Sequence, residues 1–129
     1  MIIEISHFLS ILATGLFLLV GLISFITTDT KYTANLISRT FSHGFLLLLV
    51  SFIIYIWLAI TDNFSVQYIA NHSNTELPVF YKISSIWSAH EGSMFVWILF
   101  LAIWGYFFNL HKPSNDQIKM TSIGIISLI

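Results

Sequence analysis

Apolar runs free of formal charge alternate along the chain with short polar segments. The first run, Ile5 to Ile26, holds no Asp, Glu, Lys or Arg and is long enough for about 30 Å of hydrocarbon. Its head, Met1-Ile2-Ile3-Glu4, is acidic where a signal peptide is basic, so the run reads as a retained spanning helix. A polar connector follows from Thr27 to Thr40. The second run, Phe41 to Ile60, is again charge-free, with Tyr55 and Trp57 near its far end, where amphipathic rings favour the membrane interface. The third, Met94 to Phe108, is short for a span, and the mild stretch Ser84 to Ala89 is expected to lengthen it. That places His90 and Glu91 at or just under the interface. Met120 to Ile129 opens a fourth run too short to cross, which reads as a stub at one leaflet or the mark of a truncated or fragmentary product.

The expected architecture is therefore all-α and transmembrane, a single membrane segment with helices at about 5–26, 41–60 and 84–108, a partial one at 120–129, and a polar loop over 61–83. Near-continuous apolar runs, without strict alternation, exclude barrel strands. Within the loop, Pro78 marks a change of character. After it, Ile83, Ile86 and Trp87 recur as one apolar face, which predicts an interfacial helix or an early start to the next span. Lys31 and Arg39 fall in the first connector and Lys112 and Lys119 in the third, whereas the long middle loop holds only Lys82. The positive-inside rule then puts the N-terminus and loop 61–83 outside, the periplasmic side in a bacterium.

Composition narrows the classes. Hydrophobic residues make up 57% of the 129 positions and charged ones 9%, against roughly a quarter charged in an ordinary soluble domain. Five basic residues against six acidic ones lack the excess of a nucleic-acid binder, and the absence of cysteine removes disulfides, thiolate metal sites and thiol nucleophiles.

Candidate chemistry concentrates in Trp87 to Ser93. On one helix, Trp87, His90, Met94, Trp97, Leu101 and Trp104 would form a single stripe. Such a stripe reads first as a packed interhelical seam with a polar cap. Its other reading is a wall beside a flat cofactor such as haem, with Trp87, His90, Met94 and Trp97 on the cofactor side. Glu91, about 100° round the helix from His90, is expected to cap a helix end, meet Lys82 or hydrogen-bond within the loop. His7 lies at similar depth to His90, so a bis-imidazole pair is geometrically allowed, beside the plainer reading of interface hydrogen bonding. His43 sits near a helix end, and His72 and His111 have surface-like contexts. No metal-ligand spacing, HExxH, GxSxG or P-loop occurs, so neither a metal site nor catalysis contained in these residues is expected.

The segment DNFSVQYIANHSNTELPVFYKISSIWSAHEGSMFVWILFLAIW closely resembles the N-terminal region of the CcmF haem lyase family of cytochrome c-type biogenesis, which includes CycK- and NrfE-like members. Asp62, Asn71, Asn74, Pro78, Tyr81, Trp87, His90, Glu91, Gly92 and Ser93 carry the resemblance. It implies a role in covalent attachment of haem to apocytochrome c, with haem b held by the full assembly. The partners it implies are the remaining helices of a CcmF-like protein, other maturation subunits, a haem chaperone and apocytochrome c. It implies a multi-pass place in the bacterial inner membrane, or the mitochondrial one for an organellar chain. The family's later tryptophan-rich motif and haem-ligating histidines match nothing in this sequence, so the resemblance implies a scaffold contribution. The alternative is a degenerate fragment or a small interaction subunit without haem activity.

Overall fold

The computed structural model describes residues 2–27, 31–88, 90–111 and 116–129, with Glu91 described through its backbone alone. Ala89 and Lys112, which figured in the reading of the third helix and the connectors, lie outside the described residues. The chain is all-helical: α1 (Ile2–Ile26), α2 (Lys31–Ile60), α3 (Gln67–His72), α4 (Val79–Ser85), α5 (His90–Leu110) and α6 (Asp116–Leu128). Three of these, α1, α2 and α5, are long and apolar enough to cross a membrane, and α6 is a 13-residue start of a fourth.

Three boundaries differ from expectation. The second helix begins at Lys31 rather than Phe41. Its polar first turns persist because Ala34, Ile37 and Phe41 recur at helical spacing and are buried, and because Met120 of α6 lies against Thr33. The third span starts at His90, and residues 84–88 are not part of it. Ser84 and Ser85 close α4, and the backbone then turns through Trp87 and Ser88. The fourth run is longer than its apolar residues suggest, since Asp116 to Lys119 form its first turn, with the acid at the favourable N-terminal position.

Successive long helices run antiparallel. Ser6 meets Ser51, Phe17 meets Phe41, Phe45 stacks on Tyr106 and Phe52 meets Phe95 edge-to-face. One end of the bundle thus carries the start of α1, the end of α2, the start of α5 and the whole segment between α2 and α5; we call it the loop end. Inside the bundle the close approaches are made by small residues. Gly124 of α6 lies against Ser24 of α1, Gly21 against Leu128, and Gly105 of α5 against Phe41, as expected where lipid supplies no hydrophobic drive and packing must.

Two hydrogen-bonded clasps tie the helices laterally. The Ser6 hydroxyl approaches the Ser51 carbonyl and hydroxyl at 3.1 and 3.0 Å, and the Ser51 hydroxyl donates to the Ser6 carbonyl at 2.8 Å. Towards the other end the Asn109 amide donates to the Ser38 carbonyl at 2.9 Å and to the Ser42 hydroxyl at 3.0 Å, and Ser38 donates back to Asn109 at 2.6 Å. Away from water such groups must find partners within the bundle.

Candidate functional site

The loop end is organised by how α2 stops. After Ile60 the chain turns at Asp62, whose φ of 54° is left-handed. The Asn63 N–H donates to the Leu58 carbonyl and the Asp62 N–H to that of Ala59, the double bond of a Schellman terminus. An Asp tolerates this conformation better than most residues, and its carboxylate is thereby presented to α4. Lys82, only 6% exposed, donates from Nζ to Asp62 Oδ2 at 2.5 Å. One reading of Glu91 has it meet Lys82; the Lys82 cation reaches Asp62, because α4 folds back across the end of α2, and the Glu91 side chain lies outside the described residues.

A second tie comes from α3. Its Tyr68 hydroxyl donates to the carbonyls of Ile86 at 2.8 Å and Ser85 at 3.2 Å. Both carbonyls lie at the end of α4, and that of Ser85 also accepts from the Ser88 N–H and hydroxyl. The His72 ring stacks on Tyr68 at 4.4 Å, and its Nδ1 donates to the Tyr68 carbonyl at 2.9 Å, leaving Nε2 free to accept. Leu58, Ala59, Ile69 and Ile86 form a small apolar core beneath these ties. Gly92, at the first turn of α5, closes the arrangement: a Cβ there would meet the Ile86 carbonyl oxygen and the Tyr68 hydroxyl.

Tyr68→Phe tests the tether in isolation. It removes one donor shared by two carbonyls, leaves the rings stacked, and is expected to cost about 1 kcal/mol. Loop cleavage by protease under native conditions should rise several-fold; an unchanged rate would show that the hydroxyl holds nothing.

Between the loop end and the long helices lies a cavity of about 600 Å³. α1 contributes His7 and Thr14, α2 Tyr55, α3 Tyr68 and His72, and α5 Phe95. Among the described residues no Lys, Arg, Asp or Glu lines it, so it presents hydroxyls, imidazoles and rings without formal charge. His7 therefore shares a cavity with His72 rather than with His90. Sequence reasoning missed His72 here, because its surface-like neighbours gave no sign that α3 folds against Tyr55 and α5.

The tryptophan stripe is placed differently from the single helical face expected. Trp87 sits in the turn before α5, and Trp87, Met94, Trp97 and Trp104 all point outward from the chain, Trp97 at 66% and Trp104 at 75% exposed. Among the described residues they form no interhelical seam. Trp87 and Trp97, with Phe100 and Val96, line an outward concavity of about 370 Å³. His90 is exposed, and it does not line that concavity.

The other residues quoted for the resemblance fall into local roles. Asn74 Oδ1 accepts from the Glu76 N–H, Pro78 is the residue before α4, and the Ser93 hydroxyl donates to the His90 carbonyl. Asn71 and Tyr81 are exposed. Among the described residues no three His, Asp or Glu side chains cluster as a metal site requires.

Comparison with known proteins bears on these residues. The chain is 39% identical over 97 residues to the cytochrome c-type biogenesis protein CcmF of Haemophilus influenzae, covering 71% of this chain and 15% of that one. It is 34% identical over 104 residues to CcmF of Escherichia coli (78% and 15%), and 33% identical over 107 residues to CycK of Bradyrhizobium diazoefficiens (81% and 16%). The chain is distantly homologous to cytochrome c-type biogenesis proteins of the CcmF, NrfE and CycK kind. It spans about 15% of the length of the curated relatives it matches. No protein-family model matches the chain, and no solved structure does.

Proposed function

We propose that this chain supplies the N-terminal scaffold of a CcmF-like membrane haem lyase, which attaches haem covalently to apocytochrome c. The observation that carries the reading is the similarity to named cytochrome c-type biogenesis proteins over most of the chain. The residues of the resemblance that hold the loop end together, Asp62 and Gly92, support it.

In this reading the remaining helices of the longer protein cover the outward face of α5, and the haem chaperone, other maturation subunits and apocytochrome c engage the full assembly. The loop end faces the periplasm of a bacterial inner membrane, because Lys31, Arg39 and Lys119 gather at the opposite end and basic residues favour the cytoplasm. The Trp87–Trp97 concavity offers flat apolar contact to a porphyrin, but its lining holds no imidazole. No ligation step is therefore assigned to it. Haem b ligation belongs to other helices, and this chain's own residues position and pack.

A chimaera tests this: the chain replaces the corresponding segment of Escherichia coli CcmF in a strain lacking that protein. The expected result is c-type cytochrome, seen by haem staining in gels, well above the null strain. A chimaera that inserts stably and yields none would overturn the reading.

A further inference from the structure

Helix α4 is inside out for a segment bathed in water. Its cation, Lys82, is turned into the protein, while Val79, Phe80 and Tyr81 are 53%, 76% and 60% exposed. The apolar face expected from the spacing of Ile83, Ile86 and Trp87 is not the outward one, since Ile86 is buried in the loop-end core. The first turn of α4 thus presents one β-branched and two aromatic side chains outward, spread over about 200° of the helix, with the Phe80 and Tyr81 rings 6.1 Å apart.

Its depth is fixed by the ties already described. Lys82 bonds to Asp62, two residues beyond the last residue of α2, and Tyr68 holds the carbonyls of Ser85 and Ile86. Trp57, in the last turn of α2, is 60% exposed, at the level where an indole favours the headgroup layer. α5 starts its span within a few residues of the end of α4. The first turn of α4 is thus tied beside the end of α2 and close to the start of α5, two of the helices long and apolar enough to cross a membrane.

We propose that the Val79–Phe80–Tyr81 face of α4 is seated in the headgroup–acyl boundary of that bilayer, making the segment between α2 and α5 a collar lying on the membrane. The occupant of this face is phospholipid. Because Lys82 is consumed by Asp62, the face carries no cation for anionic headgroups, and seating depends on apolar burial rather than on lipid charge. The inference stands on the fold alone and survives failure of the haem lyase reading.

The chain has no cysteine, so single sites can be labelled cleanly. Phe80→Cys, Val79→Cys and, as a loop reference, Glu76→Cys are each made in the full chain. Each is spin-labelled and reconstituted in phosphatidylcholine vesicles, and collision rates with oxygen and with a water-soluble nickel chelate are compared. At positions 79 and 80 oxygen should dominate several-fold, and at 76 the chelate should. Replacing a third of the lipid by phosphatidylglycerol should leave the ratios unchanged. Chelate dominance at 79 and 80 would show a face in water, and low rates for both reagents a face covered by protein. Oxygen dominance only with anionic lipid would show charge-driven seating. Any of these three results overturns the proposal.

Discussion

Gly92→Ala is expected to unlock the loop end while leaving the three spanning helices inserted. The added Cβ would fall on the carbonyl oxygen of Ile86, with that residue's carbonyl carbon at 2.8 Å, and on the Tyr68 hydroxyl. A flexible side chain would swing aside; a backbone carbonyl cannot. Ile86 is buried, and its carbonyl already accepts from Tyr68 at 2.8 Å. Relief therefore requires the start of α5 to move away, which breaks the Tyr68 bonds and opens the cavity beneath. Overpacking of this kind costs about 3 kcal/mol, which corresponds to about a hundredfold rise in the population of the opened loop and in its native-state cleavage by protease. Gly15→Ala is the matched control. Nothing lies within 4 Å of a Cβ there, and a mid-helix Gly is about 1 kcal/mol worse than Ala, so that variant should be neutral or slightly more stable. Equal cleavage rates in the two variants would show that α5 starts where it does for some other reason.

The helices were legible in the sequence because a bilayer demands long charge-free runs. Which side of each helix faces inward was not, and the tryptophan stripe shows why. In water a row of Trp and Met at helical spacing marks a core, since burial removes apolar surface from solvent. In lipid both sides are apolar, and the inward face is marked instead by residues that let backbones approach or that need a partner. Here Ser6, Ala13, Gly21, Ser24, Ser51 and Gly124 are buried beside Phe17, Ile37 and Phe41, while Trp97, Phe100 and Trp104 face out. The early start of α2 carried a signal, the spacing of Ala34, Ile37 and Phe41, hidden among polar neighbours that suggested a connector. The site was least legible. Ser6 with Ser51, Asp62 with Lys82, and Tyr68 with Ile86 pair across 45, 20 and 18 positions, and no local pattern encodes such meetings. The resemblance singled out Asp62 and Gly92, but only the structure gives one a partner and the other a reason to lack a side chain.

Lys82→Met is expected to be the second most damaging change, through the charge it strands. Asp62 keeps its carboxylate at the end of α2, its side chain 23% exposed. Oδ1 is already buried without a partner, and Oδ2 would lose the one it has. Removing one member of a fully buried pair costs about 3–5 kcal/mol; partial access of water to Asp62 reduces this to about 2 kcal/mol. Asp62→Asn is the informative companion, because Asn tolerates the left-handed backbone that the Schellman terminus requires and carries no charge to strand. The double variant should therefore recover most of the loss, giving a coupling of about 1–2 kcal/mol between positions 62 and 82. Unfolding titrations of the four proteins in lipid or detergent supply the cycle. Losses that simply add would mean the pair is incidental and that α4 is held by Tyr68 and the Ile86 core alone. Coupling at the expected size would make the ion pair the element that sets the depth of α4. In that case Lys82→Met should also move a label at position 80 towards water.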